Sequence, residues 1–146
     1  MCKRVWIGLG LLAATLLVIA GAILVPRAAS VDPKLIGTWE THRGHSRFVF
    51  HPDGRFSYRT SGTFRGYKDI ELKQMGFWGY KNDTIYLRYS SSEALRAGVP
   101  VPQVIEFLET KEHRVSQMQV RWRSENEFVS AVYKSSSYIR KAPDRS

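Results

Sequence analysis

The chain has a single cysteine, Cys2, in 146 residues, so no internal disulfide can form and the folded part must be held by its core alone. No apolar box with a small residue precedes Cys2, which argues against lipoprotein cleavage and leaves an inert thiol as the plain reading. Histidine is scarce: His42, His45, His51 and His113 are the four in the chain. On an extended strand positions 42 and 45 face opposite ways, and the run has no spacing of the kind zinc sites use. They read as surface histidines, and no metal or other cofactor is expected. Acidic residues are outnumbered, 13 against 22 Lys and Arg. Glu106, Glu109 and Glu112 would share a face only on a helix, and on a strand and turn they disperse, so no carboxylate pair is set up for acid–base work. The serine runs 90–92 and 135–137 sit in no nucleophile elbow. Nothing here points to an enzyme, and no internal repeat or low-complexity tract is present.

Charge is also missing from one long stretch. Val5 to Val25 is 21 residues without a charged side chain. At about 1.5 Å per helical residue it would span roughly 31 Å, which matches a bilayer core. A cleavable signal peptide is the competing reading, with Ala28 and Ser30 at the small-residue positions of a cleavage site, but signal h-regions are about 7–15 residues long. An uncleaved anchor is therefore expected. Lys3 and Arg4 before the run and Arg27 with Asp32 after it tilt the orientation toward N-terminus inside. That divides the chain into a cytoplasmic N-terminus (1–4), the anchor (5–25), a short stiff linker (26–34) with Pro26 and Pro33, a domain (35–141) and a tail (142–146).

Nineteen of the 22 Lys and Arg, and all 13 Asp and Glu, lie after Ser30, leaving a formal charge of +6 on that part. A basic domain tethered beside a bilayer is drawn to anionic lipid headgroups. Nucleic acid is not the expected partner outside the cytoplasmic membrane.

What the domain does have is alternation. Phe48 and Phe50, a Pro52-Asp53-Gly54 turn, then Phe56 and Tyr58 read as a hairpin. Trp78 and Tyr80, an Asn82-Asp83 turn, then Ile85, Leu87 and Tyr89 read as another. Phe64, Ile70 and Leu72 suggest further strands between them. Ser90 and Glu93 match a capping box, which predicts a short helix through "SEALRA" ending at Gly98, with Pro100 and Pro102 barring its continuation. "VIEFLETKEHRV" fits an amphipathic helix, but Ile105 and Phe107 also alternate. In "VSQMQVRWR" Met118, Val120 and Trp122 face one way and Gln117, Gln119, Arg121 and Arg123 the other. After a "SEN" turn the chain returns in one or two strands. About eight short antiparallel strands and one brief helix make a mainly β domain, and a meander of that size closes into a small barrel without exposed edges.

"LIGTWE" at the first strand, "FHPDGRF" at an early hairpin and "SYIRK" at the last strand together resemble the lipocalin-like domains of small bacterial envelope proteins, within the wider lipocalin and calycin group. The resemblance runs from Leu35 to about Lys141. It implies that Trp39 plugs the closed end of the barrel and that Arg140 stacks on it, a contact worth about 0.5–2 kcal/mol. The domain is shorter than a full lipocalin, which argues against a large ligand cavity.

Two surfaces remain as candidate binding features. Trp78, Tyr89 and Trp122 are placed to line a ligand site if the barrel is hollow, and otherwise are core. Arg43, Arg47, Arg55 and Arg59 recur through the first hairpin, with Arg55 and Arg59 on the face opposite Phe56 and Tyr58. The expected protein is a non-catalytic accessory module on the periplasmic side of the bacterial inner membrane, binding an envelope protein or an anionic surface. The alternatives are a carrier of a small apolar ligand such as a lipid, and an inhibitor or immunity-like protein acting on an enzyme at the membrane.

Overall fold

The computed structural model describes residues 30–110, 113–131 and 136–142. Nine strands follow a 3-10 turn at Pro33–Leu35: β1 (Gly37–Thr41), β2 (Ser46–Phe50), β3 (Arg55–Phe64), β4 (Tyr67–Lys81), β5 (Thr84–Arg96), β6 (Val99–Pro100), β7 (Val115–Ser124), β8 (Glu127–Ser130) and β9 (Ser137–Lys141). One helix, α1 (Pro102–Leu108), precedes β7. Every pairing is antiparallel. Eight strands form a closed ring, β1 to β5 then β7, β8 and β9 back to β1, and the two-residue β6 hangs on β5. The described residues are thus mainly β, a closed eight-stranded antiparallel barrel with one short helix.

The turns have the chemistry that the pattern requires. Gly54 sits at φ +80° after Pro52-Asp53, where a side chain would be strained, and Asp53 accepts from the Arg55 N–H at 3.0 Å. Asn82 and Asp83 both adopt positive φ, as a two-residue turn between twisted strands demands.

Alternation then fills the barrel. Trp39, Phe48, Phe50, Phe56, Trp78, Ile85, Leu87, Met118, Val120, Phe128 and Tyr138 point inward and are buried together with Leu35. Neighbouring rings touch, with centroids 4.9 Å apart for Trp39–Phe128, 5.0 Å for Phe50–Trp78 and 5.5 Å for Phe56–Tyr89. Such pairs add about 0.5–1.5 kcal/mol each to the burial of their area.

A second, aliphatic core lies beyond this body. β3, β4 and β5 outrun the other strands, and their far ends carry Ile70, Leu72 and Ala94 against Val101, Val104 and Leu108 from the β6–α1 segment. Phe64 meets Phe107 at 6.0 Å and the Arg65 guanidinium lies 4.1 Å over the same ring. A bulge separates body from arm: Tyr89 pairs with Gly76 and Ser91 with Met75, which leaves Ser90 as the extra residue. The inward positions of β5 therefore change from odd (Ile85, Leu87, Tyr89) to even (Ser92, Ala94).

One expectation is corrected here. The helix predicted through residues 92–97 is strand as far as Arg96, and Ala97 begins the turn to β6. Ser90 does not cap a helix; its hydroxyl donates to the Met75 carbonyl at 3.1 Å, and Ala94 is buried as a strand residue should be. The helix lies instead in the "PQVIEFL" segment. Pro102 stands in its first turn, where a proline gives up only an N–H that has no partner within the helix. The predicted anchor, residues 5–25, lies outside the described residues, as do the N-terminus with Cys2 and most of the tail. Among the described residues no helix is long and apolar enough to cross a membrane.

Candidate functional site

One end of the barrel gathers the 3-10 turn, the His51–Gly54 and Asn82–Asp83 turns and the end of β9. Trp39 is fully buried there, and its indole N–H donates to the Leu35 carbonyl at 2.8 Å. Arg140, directly across the β1–β9 ladder, holds its guanidinium 4.6 Å over the Trp39 ring. It also donates to the carbonyls of Ile36 and Lys34, so the residues entering the barrel are tied to its last strand. Lys34 in turn lies 3.8 Å over the Trp122 ring.

The three candidate ligand-lining residues are all engaged. Trp78 is buried against Phe50 and donates to the His51 carbonyl at 3.1 Å. Trp122 packs edge-on to Trp39 and donates to the Tyr80 hydroxyl at 3.0 Å. Burial first, and then the hydrogen bond to Asp83, push the Tyr80 phenol above its ordinary value. Tyr89 packs on Phe56 and bonds to the Ser116 hydroxyl.

Open space lies on the outside. The outward residues of β2 to β5, with Glu40, line a trough of about 1010 Å³. Its rim is one cross-strand row, Glu40–Arg47–Arg59–Lys73–Glu93, in which each residue stands opposite the next. Arg47 reaches Glu40 at 2.5 Å, Arg59 reaches Glu71 at 2.7 Å, and Lys73 lies between Glu71 and Glu93 at 3.6 and 3.9 Å. Lys141 adds a contact to Glu40 at 3.4 Å. Partial burial pulls the Glu40 carboxyl upward, but the hydrogen bonds and charges of Arg47 and Lys141 outweigh it and hold the group below the ordinary carboxylate range. Val49, Ser57, Met75 and Ser91 lie beside this row. A smaller cavity of about 430 Å³, edged by His51, Arg55, Met75 and Phe77, adjoins it.

The basic residues anticipated from the sequence thus divide. Arg47 and Arg59 belong to the paired row, and Arg55 is held by Asp53 at 2.6 Å. Arg43 is exposed in the β1–β2 turn. Single-sequence reasoning missed the acidic half, Glu71 and Glu93, together with Lys73. The signal was in "DIELKQM": buried Ile70, Leu72 and Gln74 alternate with Glu71, Lys73 and Met75, and that set the outer face.

The remaining candidates do not converge. Among the described residues no group of three His, Cys, Asp or Glu could hold a metal. His42, His45 and His51 are exposed, and His113 packs on Phe107. Glu106 and Glu109 lie in and just after α1, both exposed, so the helix brings them to one side where a strand would have separated them; Glu112 lies outside the described residues. Ser91 lines the trough, Ser92 accepts from Gln74 at 3.1 Å, and Ser137 bonds to Glu127, while Ser135 lies outside the described residues. No family model matches the chain, and no curated protein matches it.

Proposed function

We propose that this chain is a non-enzymatic accessory protein of the bacterial cell envelope, held in the inner membrane by Val5 to Val25, with the barrel displayed on the periplasmic side as a binding module. Its binding face is the trough over β2 to β5, and its partner is a protein. The observation that carries this reading is the contrast between an interior occupied by rings in mutual contact and a trough of about 1010 Å³ on the outside. The trough carries three cations, Arg47, Arg59 and Lys73, paired with three carboxylates, Glu40, Glu71 and Glu93, and such a mixed surface suits a folded partner of complementary charge better than a polyanion, since surface charge pattern sets specificity and orientation. An inhibitor or immunity-like protein is the form this takes if the partner is an enzyme. A lipid carrier would need room among the rings that Trp78, Tyr89 and Trp122 help to fill.

The test is photo-crosslinking in cells. Full-length chains carrying a photoreactive residue at Ser57 or Ser61, in the trough, are compared with chains carrying it at Gln103, on the exposed side of α1. One discrete protein adduct from positions 57 and 61 alone is expected, in a membrane fraction that resists alkaline carbonate. Equal adducts from all three positions, or none from the trough, would remove the trough as the binding face.

A further inference from the structure

A second wall of the barrel differs from the trough. The segments 72–81, 84–92 and 113–123 contain no Asp or Glu, so the outer face of β4, β5 and β7 over the barrel body has no carboxylate of its own. Two acids lie in the adjoining turns: Asp83 accepts from the Tyr80 hydroxyl at 2.6 Å, and Asp53 is paired with Arg55 at 2.6 Å. Across this wall Arg55, Phe77, Arg88 and Val115 stand in one register row. Phe77 is 53% exposed, Met75 two residues away 56%, and Val115 43%. Lys81, Arg88 and Arg121 project from the same face, and none has an ion-pair partner among the described residues. Exposed apolar side chains ringed by unpaired cations are what an anionic bilayer surface takes up: the apolar groups enter the headgroup boundary and the cations meet phosphates.

We infer that this wall lies on the anionic lipid surface of the membrane, with Phe77 and Met75 inserted at the headgroup level and Lys81, Arg88 and Arg121 bound to lipid phosphates. The inference rests on the reading of Val5 to Val25 as the anchor, and the path of the chain supports it. The Ser30 carbonyl accepts from the Tyr80 N–H at 2.8 Å, so the described chain begins against β4 itself. Phe77 is three residues from Tyr80, about 10 Å along the strand. Five residue steps separate Ser30 from Val25 and span at most about 18 Å. A tether that short, attached to this wall, keeps it beside the bilayer. The trough shares β4 and β5 with this wall but opens toward β2 and β3, and of the exposed side chains named for the wall Met75 also lines the trough.

The test uses the full chain with Cys2→Ser and a single cysteine at position 75 (Met75→Cys) or position 43 (Arg43→Cys), labelled with an environment-sensitive fluorophore. The chain is reconstituted into vesicles of phosphatidylcholine alone or of phosphatidylcholine with phosphatidylglycerol. The label at 75 should shift to the blue and be quenched by nitroxide lipids in the anionic vesicles, and the label at 43 should not respond. Charge reversal at both Lys81→Glu and Arg88→Glu should lower that occupancy about tenfold or more, as should high salt. These positions are exposed strand residues, and far-ultraviolet circular dichroism verifies that the variants keep the barrel. Chains that stay with the vesicles after alkaline carbonate but show no difference at position 75 would overturn the lipid contact while leaving the anchor in place. Chains that wash off would overturn the anchor first and this inference with it. Shielding of a label at Val115→Cys, which lies outside the trough, in native membranes but not in lipid vesicles would assign the wall to a protein and overturn the inference.

Discussion

The barrel body and the arm bury their cores by different means. The body closes on itself, so its strands have no free edge, and rings from facing strands fill it, Trp39 against Trp122 and Phe128 and Phe50 against Phe56 and Trp78. The arm is three strands wide and has to borrow its second layer from α1 and the residue before it, which supply Val104, Leu108 and Val101. Ring closure ties the body together through contacts distant in sequence. The arm depends on one seven-residue helix, too short to be stable alone. Local opening should therefore begin in the arm, and the body should set the global stability.

The largest effect should come from the body. Trp39→Ala removes the buried indole, its bond to Leu35 and the surface on which Arg140 stacks, and should cost roughly 3–5 kcal/mol in denaturant unfolding. A cost under about 1 kcal/mol would show that Trp39 does not close the barrel. Next comes the junction. A Cβ at position 76 would lie 1.9 Å from the Arg88 carbonyl oxygen, so Gly76→Ala must push the bulge apart, at about 1–3 kcal/mol. Leu108→Ala sharpens the contrast: a loss of about 2–3 kcal/mol is expected from its buried side chain, with amide exchange rising first in α1 and the ends of β4 and β5. Uniform exchange across the barrel would make body and arm a single cooperative unit.

The smallest effect is electrostatic. Glu40 has its folded-state pKa lowered, so between the folded and unfolded values the unfolded chain binds more protons. Its contribution is complete above the unfolded carboxylate value and is lost as pH falls through the folded one. Asp53, held down by the Arg55 backbone N–H and then by its guanidinium, and Glu127, held down by Ser137 and then Arg123, act in the same direction. Stability should fall on acidification below about pH 4.5, and Glu40→Gln should flatten part of that fall. Because the row is solvent-exposed, the difference at neutral pH should stay within about 1 kcal/mol and shrink in salt.

The same division governs what the sequence made legible. In the body, inward aromatic residues at every second position and turn pairs with demanding dihedrals leave one interpretation, and both central hairpins, the barrel class and the inward face of β7 are readable from them. In the arm, Ser90–Glu93 is a good local helix start that tertiary structure overrides. Ala94 is worth more buried against Ile70 and Leu72 than in an isolated helical turn, and the bulge that places it there has no residue signature of its own. The α1 segment was ambiguous because Ile105 and Phe107 satisfy both periods. On the outer wall, arginines stood out as a basic surface, but the carboxylates that neutralise them come from β1, β4 and β5, and only the register brings them together.

The central claim is that the barrel is filled and acts through its outer face. Native mass spectrometry of the full chain, purified gently from the cells that produce it, tests this most directly. The account predicts the bare mass of the chain, alone or with a protein partner that leaves when the trough row is disrupted by Arg59→Glu and Lys73→Glu. A retained apolar molecule that survives this change but is lost with Trp78→Ala or Trp122→Ala would place the ligand among the rings and contradict the account.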